Sequence, residues 1–422
     1  MKKSVKSSAV NGTIVAPASK SVAQRAIVAA VLCQGTSTLR NLSLCNDTSA
    51  ALGVARTLGA IVEQHGNDYT ISSDFFAKNI AEKKLFCGES GLLTRMITPV
   101  AALLSHYTEI NGHGSLLKRP VDMVENPLRG LGATIVTDRS LLPITVKGPL
   151  KGGEISIDGS ISSQLLTGLL MALPLAQGNS TIHVSNLKSK PYIDITIDLL
   201  KSFGVEIIND SYEIFRIKGH QKFAPCTCSI EGDWSGASCP LVAGAIAGNI
   251  TVENLDENSA QADKEILTVL ERAGAKISAE RTKSSLSSIS VSKGNLQAFT
   301  FDATHCPDLF PAIVALASQC NGISQIYGAE RLTHKESNRA LTLRQEFATL
   351  GIKIDLSGNE MRVAGGQVTG GSVNAHNDHR IAMALATAAL CANGEVIVDE
   401  AESVDKSYSK FWDDLAVLTS GQ

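Results

Sequence analysis

The chain is internally repetitive, and this repetition constrains its fold more than any other feature of the sequence. Five helical patterns each end in a glycine that precedes a run rich in strand-forming residues, and successive glycines lie roughly 70 residues apart. These glycines are Gly59, Gly132, Gly204, Gly274 and Gly351. A glycine just past a helix end accepts the left-handed backbone that terminates the helix. A period of this length is longer than that of common solenoids and predicts small α/β subdomains.

A second helical pattern recurs six times in the same rhythm, and its residues are apolar on nearly every face. Examples are AQRAIVAAVLCQG, beginning at Ala23, and RIAMALATAALCANG, beginning at Arg380. Helices of this composition are buried in proteins, because an exposed one would leave a large apolar surface in water. The sequence therefore predicts an α/β fold with six repeats, in which these helices lie inside a layer of strands.

Six repeats in one chain suggest two domains of three repeats each. A polar stretch with proline and cysteine, at 222–233, separates the third repeat from the fourth. The strand before Pro17 is predicted to belong to the second half, so that the chain crosses twice between domains. We therefore expect one domain at 17–228 and a second formed by 1–16 together with 229–422.

Composition and charge exclude several classes of protein. Hydrophobic residues make up 44% of the chain and charged residues 19%, as in a folded protein. The formal net charge is −3, which gives no bulk positive field for non-specific nucleic-acid binding. The N-terminus lacks the apolar segment of a signal peptide, and no apolar run reaches membrane-spanning length. The nine scattered cysteines favour reduced, buried thiols, and their spacing indicates no metal site. We therefore expect a cytoplasmic protein.

Polar residues concentrate where the six apolar helices begin. They are Pro17-Ala18-Ser19-Lys20-Ser21, Gly88-Glu89-Ser90-Gly91, Ser162-Ser163-Gln164, Asp233-Trp234-Ser235, Asp308, and Asn377-Asp378-His379-Arg380. Helix N-termini carry unpaired N–H groups and attract anions. Positive charge in a first turn opposes the helix dipole, so Arg25, Arg95 and Arg380 are locally unfavourable until a multivalent anion binds.

Each of these residues has an ordinary structural interpretation when taken alone. The serines and Asp308 fit helix caps, Lys20 and Arg25 fit surface charges, and His379 fits a packing residue. Their coincidence at every helix start is what favours a site for phosphate and carboxylate groups.

Two further groups of charged residues lie outside these helix starts. Lys335 and Arg339 are spaced i,i+4, which predicts one face of a helix with Glu336 beside them; a solvated charged face is the alternative. Lys118-Arg119-Pro120 and Lys188-Ser189-Lys190-Pro191-Tyr192 place basic residues before proline, which predicts extended backbone in loops.

Taken together, these residues resemble the EPSP synthase family, the 3-phosphoshikimate 1-carboxyvinyltransferases. The matching motifs are P-x-S-K-S-x-x-x-R at 17–25, S-S-Q at 162–164, K-P-Y-I-D-I-T at 190–196, K-E-S-x-R at 335–339, N-D-H-R at 377–380 and the terminal Lys406-Ser407-Tyr408. The resemblance implies a two-domain inside-out α/β barrel built from six βαβαββ repeats. Its buried helices would point their N-termini into an interdomain cleft, and its sheets would lie outside.

The same resemblance implies an activity and a set of site residues. The enzyme would transfer the enolpyruvyl group of phosphoenolpyruvate to the 5-hydroxyl of shikimate 3-phosphate, a step of aromatic amino acid biosynthesis, as a monomer without cofactor or metal. Shikimate 3-phosphate would be bound by Lys20, Ser21, Arg25, Ser162, Ser163, Gln164, Ser189, Tyr192, Asp308 and Lys335. Phosphoenolpyruvate would be bound by Lys20, Gly91, Arg119, Gln164, Arg339, Arg380 and Lys406. Asp308 would be the general base and Glu336 the proton donor, with Lys20 also catalytic.

Some positions depart from the family pattern, and two other functions are alternatives. Glu89, Leu92, Met96 and Thr333 stand where the family usually has Asn, Thr, Pro and Arg. The carboxylate of Glu89 beside an anion site would need Arg95 or Lys20 as a partner. The related transferase that acts on UDP-N-acetylglucosamine carries a reactive cysteine in the loop that here contains Ser115. A non-catalytic repeat scaffold of the clamp type would need a basic inner surface.

Overall fold

The computed structural model describes residues 1–75, 83–281 and 287–420. They form two compact units. The continuous unit is Lys20–Ile230, and the split unit joins Met1–Ser19 to the chain from Glu231 onward.

The strands of the described residues follow a regular order along the chain. They are β1 (Lys2–Val5), β2 (Val10–Val15), β3 (Gln34–Arg40), β4 (Ile61–His65), β5 (Asp68–Asp74), β6 (Lys83–Phe86), β7 (Thr108–Asn111), β8 (Thr134–Asp138), β9 (Leu141–Lys147), β10 (Gly153–Asp158), β11 (Ser180–Ser185), β12 (Ile207–Asp210), β13 (Ile214–Ile217), β14 (Thr227–Ser229), β15 (Gly248–Leu255), β16 (Lys276–Arg281), β17 (Ser287–Ser292), β18 (Thr300–Asp302), β19 (Ile323–Tyr327), β20 (Ile354–Ser357), β21 (Glu360–Ala364), β22 (Gly371–Asn374) and β23 (Val396–Asp399).

The α-helices of the described residues alternate with these strands. They are α1 (Lys20–Val31), α2 (Asn46–Thr57), α3 (Gly91–Ala101), α4 (Glu125–Gly130), α5 (Gln164–Ala172), α6 (Pro191–Ser202), α7 (Trp234–Ala247), α8 (Ile266–Ala273), α9 (Phe310–Ala317), α10 (Arg339–Thr349), α11 (His379–Ala389) and α12 (Phe411–Thr419).

The strands form small sheets of one recurring topology. Five sheets have four strands, in the orders β14-β3-β5-β4, β6-β7-β9-β8, β10-β11-β13-β12, β2-β15-β17-β16 and β18-β19-β21-β20. In the sheet that begins at β6, the first two strands are parallel and the remaining pairs are antiparallel. With α3 and α4 between its strands, this unit is a βαβαββ repeat, which confirms the fold class that the resemblance implied.

Two repeats take their first strand from a distant part of the chain. Strand β14 pairs in parallel with β3, and β2 pairs in parallel with β15. The last repeat has the order β1-β23-β22 among the described residues, so the N-terminal β1 completes its sheet. Both N-terminal strands therefore pair with strands of the 231–420 segment.

Burial divides the helices into two groups. In α1, α3, α5, α7, α9 and α11 nearly every residue is buried, as the prediction of interior helices required. The other helices are amphipathic: in α8, for example, Ile266, Val269, Leu270 and Ala273 are buried. The five predicted helix-ending glycines all have positive φ, with values of 97°, 92°, 78°, 87° and 81° in chain order, which confirms them as left-handed caps.

The cysteines behave as small interior residues. All nine are free, and six of them are buried. Burial raises the pKa of the Cys87 and Cys239 thiols to about 12. The prediction that most of the cysteines are buried is thus confirmed at six of the nine positions.

Candidate active site

The buried helices begin at the polar motifs that the sequence singled out. In the continuous unit, α1 begins at Lys20, α3 at Gly91 and α5 at Gln164. In the split unit, Asp233 caps α7 and Asp378 caps α11, each accepting hydrogen bonds from backbone N–H groups of the first turn. Asp308 lies in the short 3-10 helix Pro307–Leu309 that leads into α9.

Asp308 is the centre of a charged cluster in the split unit. Its Oδ1 lies 3.2 Å from Lys335 Nζ and 2.7 Å from a terminal nitrogen of Arg339. Its Oδ2 lies 3.6 Å from the Arg380 guanidinium. Two segments far apart in sequence, 335–339 and the start of α11, therefore bring positive charge to one carboxylate. We call Asp308, Lys335, Glu336, Arg339, Asp378, Arg380 and Lys406 the Asp308 cluster.

These contacts shift the pKa of Asp308. Burial would by itself raise it, but Arg380, Lys335 and Arg339 together hold the pKa of Asp308 well below its usual range. Burial in turn lowers the pKa of the Lys335 ammonium, although Asp308 opposes that shift. The carboxylate is therefore ionised whenever no other anion shares these cations.

Arg339 connects Asp308 to the other acids of the cluster. Its terminal nitrogens also bind Glu336 Oε2 at 2.6 Å, and its Nε binds Asp378 Oδ2 at 2.8 Å. The Arg339 side chain is 1% exposed, so these ion pairs are shielded from water. Glu336 lies 3.8 Å from Lys406 Nζ through its other oxygen. All the predicted site residues of the split unit are thus brought together.

The interpretation of Lys335 and Arg339 as one helical face is wrong. Helix α10 begins at Arg339, and the side chain of Asn338 caps it by accepting a hydrogen bond from the Leu341 amide. Lys335 precedes that cap in a turn. The two cations nevertheless converge, because both contact Asp308 and not because of helical spacing.

In the continuous unit, Lys20 is held by a carboxylate that the sequence analysis missed. Lys20 Nζ lies 3.0 Å from Asp47 Oδ2, and both side chains are mostly buried. Asp47 stands in the first turn of α2, where a negative charge suits the helix dipole. A single acid in a helix start is a common surface feature, so nothing in the sequence distinguished it from a capping residue.

Arg25 is fixed by hydrogen bonds within the protein. Its Nε donates to Thr196 Oγ1 at 2.9 Å, and one terminal nitrogen donates to the Ser21 carbonyl at 2.8 Å. A second terminal nitrogen lies 3.4 Å from the Tyr192 carbonyl. Burial lowers the pKa of Arg25 to about 10, so the guanidinium stays charged at neutral pH. These bonds bring three predicted residues together: Ser21, Arg25 and Tyr192.

Gly91 lies directly against the Arg119 guanidinium. A Cβ atom added at Gly91 would fall 2.6 Å from a terminal nitrogen of Arg119, so a side chain there would displace the cation. Arg119 has φ −92° and ψ 127°, which confirms the extended backbone predicted before Pro120. The absence of a side chain at position 91 therefore sets where this positive charge can lie.

Arg95 links the second and third helix starts, although it was not among the predicted ligands. It donates to the Gly91 carbonyl at 3.2 Å, to Gln164 Oε1 at 3.3 Å and to the Pro120 carbonyl at 2.6 Å. The position of Gln164, a predicted ligand of both substrates, thus depends on this arginine.

The remaining predicted ligands lie in the loops before α5 and α6. Ser162 Oγ accepts a hydrogen bond from the Gln164 amide, and Ser163 is buried immediately before α5. Ser189 is buried and has φ 57°, a left-handed conformation. The extended backbone predicted before Pro191 is wrong, since Lys190 has helical φ −50° and ψ −43°; Pro191 occupies the first position of α6, which proline favours.

Glu89, the carboxylate that departs from the family pattern, has a backbone partner. Its Oε1 accepts a hydrogen bond from the Ser115 amide at 2.9 Å. The negative charge is thereby directed towards the loop 112–115 and its N–H donors.

The described residues contain neither a metal-ligating cluster nor a membrane-spanning helix. Among residues 1–75, 83–281 and 287–420, no group of three or more His, Cys, Asp or Glu side chains could hold a metal ion. In the same part of the chain, no helix is both long and apolar enough to cross a bilayer.

Comparisons with known proteins agree in one family. The family model described as EPSP synthase (3-phosphoshikimate 1-carboxyvinyltransferase) matches residues 5–415. A 3-phosphoshikimate 1-carboxyvinyltransferase of Clostridium novyi is 36% identical over 417 residues, covering 96% of this chain and 95% of the relative. One of Clostridium kluyveri is 35% identical, covering 98% and 96%. The solved structure of an Acinetobacter baumannii EPSP synthase superposes with TM-score 0.84 at 24% identity, covering 99% of this chain and 98% of that one.

Proposed function

This chain belongs to the EPSP synthase family and transfers the enolpyruvyl group of phosphoenolpyruvate to shikimate 3-phosphate; we propose that the Asp308 cluster and the helix starts of the continuous unit bind these substrates. The observation that carries this proposal is the convergence of Lys335, Arg339 and Arg380 on the single carboxylate of Asp308. The Asp308 cluster holds four cations against the three carboxylates of Asp308, Glu336 and Asp378, and its remaining positive charge is suited to a further anion.

Each substrate has its own proposed set of ligands. Shikimate 3-phosphate is bound by Lys20, Ser21, Arg25, Ser162, Ser163, Gln164, Ser189, Tyr192, Asp308 and Lys335. Phosphoenolpyruvate is bound by Lys20, Gly91, Arg119, Gln164, Arg339, Arg380 and Lys406. Planar guanidinium groups pair with carboxylates through two parallel hydrogen bonds, so Arg339 and Arg380 suit the carboxylate of phosphoenolpyruvate. Lys20, Arg119 and Lys406 supply charge for its phosphate.

Binding of phosphoenolpyruvate would prepare Asp308 to act as a base. In the absence of substrate, the neighbouring cations hold the pKa of Asp308 well below its usual range. A substrate carboxylate on Arg339 and Arg380 adds negative charge beside Asp308 and raises the pKa of that carboxyl. A base with a higher pKa takes a proton more readily in the transition state.

The reaction removes two protons from the substrates and delivers two, one to the methylene carbon and one to the departing phosphate. The 5-hydroxyl oxygen of shikimate 3-phosphate attacks the carbon that bears the phosphate, losing its proton to Asp308, while Glu336 gives a proton to the methylene carbon. In the elimination the Glu336 carboxylate takes a proton from the new methyl group, the carbon–oxygen bond to phosphate breaks, and inorganic phosphate departs with the proton that Asp308 had taken. Lys20 would supply positive charge to neutralise the leaving phosphate. The reaction exchanges one carbon–oxygen bond for another without net oxidation or reduction, so the chemistry calls for no redox cofactor.

An acceptor-exchange assay tests this function. Phosphate release is measured with phosphoenolpyruvate and either shikimate 3-phosphate or UDP-N-acetylglucosamine. We expect release with shikimate 3-phosphate alone, and we expect Arg380→Ala to raise the KM for phosphoenolpyruvate by about tenfold or more. Phosphate release with the nucleotide sugar would contradict the proposal. Failure to release phosphate with either acceptor would also contradict it.

We also propose that the protein acts as a monomer in the cytoplasm, as the family resemblance implies. Light scattering on the purified protein should give a mass near 44.5 kDa. A mass of twice that value would contradict the monomer.

A further inference from the structure

The segment that presents Asp378 and Arg380 has an unusual backbone. It connects β22 to α11, and its residues His376 and Asn377 both have φ 52°, in the left-handed region. Two consecutive non-glycine residues rarely adopt this conformation, and it persists only where surrounding contacts impose it. The contacts that hold this loop therefore decide where Asp378 and Arg380 lie.

Glu346 supplies two of those contacts from helix α10. Its Oε2 accepts a hydrogen bond from the backbone N–H of Asn374 at 2.8 Å. Its Oε1 accepts a second hydrogen bond from His376 Nε2 at 2.8 Å. The Glu346 side chain is 6% exposed, whereas that of His376 is 36% exposed. The loop is also held at its far side, where the backbone N–H of Asn377 donates a hydrogen bond to Glu400 Oε2 at 2.6 Å.

Helix α10 thus holds the loop at two levels. Arg339, at its first position, binds both carboxylate oxygens of Asp378, at 2.8 and 3.2 Å. Glu346 lies seven residues later, two turns along the same face of the helix. Asp378 Oδ1 in turn accepts a hydrogen bond from the backbone N–H of Arg380 at 3.1 Å and so fixes the start of α11. A displacement of the loop would therefore move Arg339 and Arg380 together.

We propose that Glu346 is a positioning residue for phosphoenolpyruvate binding, acting through His376 and Asn374 on the cations Arg339 and Arg380. It does not touch the substrate. This inference rests on the proposed function, because it assigns Glu346 to the carboxylate end of phosphoenolpyruvate. The ligands proposed for shikimate 3-phosphate lie mostly in the continuous unit, so Glu346 should matter far less for that substrate.

Three variants separate the contributions of the two Glu346 hydrogen bonds. Glu346→Ala leaves the Asn374 amide and His376 without their acceptor. Glu346→Gln keeps an oxygen to accept the backbone N–H of Asn374, but it presents the side-chain NH₂ group to the His376 ring. His376→Asn tolerates the left-handed backbone but is too short to reach Glu346. Glu271→Ala, on the exposed face of α8, is the matched control.

The experiment measures steady-state KM for each substrate together with the thermal midpoint. We expect Glu346→Ala to raise the KM for phosphoenolpyruvate about tenfold or more, with the KM for shikimate 3-phosphate within about twofold of wild type. Glu346→Gln and His376→Asn should give intermediate increases, and Glu271→Ala none. If Glu346→Ala does not fold, the other two variants decide the question.

Two results would overturn the inference. One is an unchanged KM for phosphoenolpyruvate in folded Glu346→Gln and His376→Asn. The other is an equal rise in both KM values, which a general loss of structure would produce. Wild-type protein that fails to release phosphate would instead overturn the proposed function, so the two failures are distinguishable.

Discussion

At the scale of single residues, several cations of the candidate site already have carboxylate partners. Lys20 faces Asp47, while Lys335, Arg339 and Arg380 face Asp308. Removing one partner of a buried pair leaves an uncompensated charge, so these acids hold the cations in place before substrate arrives. Substrate anions then enter a site whose positive groups need little reorganisation.

Asp308→Asn should separate catalysis from binding. The amide keeps the shape of the side chain but cannot take a proton, so we expect kcat to fall by about 100-fold or more. Titration calorimetry should show a much smaller loss of affinity for shikimate 3-phosphate. Asp355→Asn, an exposed acid on β20, is the control and should leave both unchanged. Equal losses in turnover and affinity would contradict the assignment of Asp308 as base.

Gly91→Ala should weaken phosphoenolpyruvate binding through Arg119. The new methyl group would lie 2.6 Å from the guanidinium, so that cation must shift. We expect the KM for phosphoenolpyruvate to rise about tenfold, with a smaller change in kcat. Gly53→Ala, where a Cβ meets nothing within 4 Å, is the matched control. Unchanged kinetics would show that this contact is unimportant.

The sequence identified site residues better than it identified their partners. Motifs marked Lys20, Asp308 and Arg380 because several unusual residue types coincide there. Asp47 and Glu346 carry no such signal, since each is an ordinary acid in a helix. Their roles depend on contacts with residues 27 and 28–30 positions away in the chain, which a local pattern does not specify.

At the scale of elements, the buried helices and their glycine ends follow from local physical chemistry. A helix that is apolar all round has to be covered, and a left-handed cap requires glycine, so both could be predicted from the sequence. Local signals at the helix starts account for the two exceptions. Lys335 leaves the helical pattern because Asn338 caps α10, and Lys190 is helical because Pro191 opens α6.

Gly204→Ala and Gly53→Ala should have opposite effects on stability. Gly204 has φ +78° with no atom closer than 3.5 Å to an added Cβ, so the substitution costs backbone strain of about 1 kcal/mol. Gly53 lies inside α2 in open space, where alanine stabilises a helix by roughly 0.5–1 kcal/mol. Urea unfolding of both variants measures the difference. Destabilisation of Gly53→Ala, or no effect of Gly204→Ala, would contradict this account of the caps.

At the scale of the whole molecule, the two units differ in how the chain completes them. The continuous unit contains every strand of its three sheets, because β14 returns to pair with β3. The split unit needs β1 and β2 from the N-terminus to complete two of its sheets. The contribution of an N-terminal strand to the second half of the chain could be predicted from the sequence. The strands with which it pairs could be identified only from the structure.

Fragments of the chain should fold unequally as a result. We expect residues 20–230 alone to give cooperative thermal unfolding by circular dichroism. Residues 231–422 alone would expose the edges of β15 and β23 and should not unfold cooperatively. The same fragment with residues 1–19 attached by a flexible linker should fold. Cooperative unfolding of the unmodified 231–422 fragment would show that the N-terminal strands are dispensable.

The most direct measurement is a crystal structure with shikimate 3-phosphate and a non-reactive analogue of phosphoenolpyruvate bound together. The account predicts that Lys20 and Arg119 of the continuous unit contact the same analogue molecule as Arg339 and Arg380 of the split unit. An analogue held by the cations of one unit alone would contradict it.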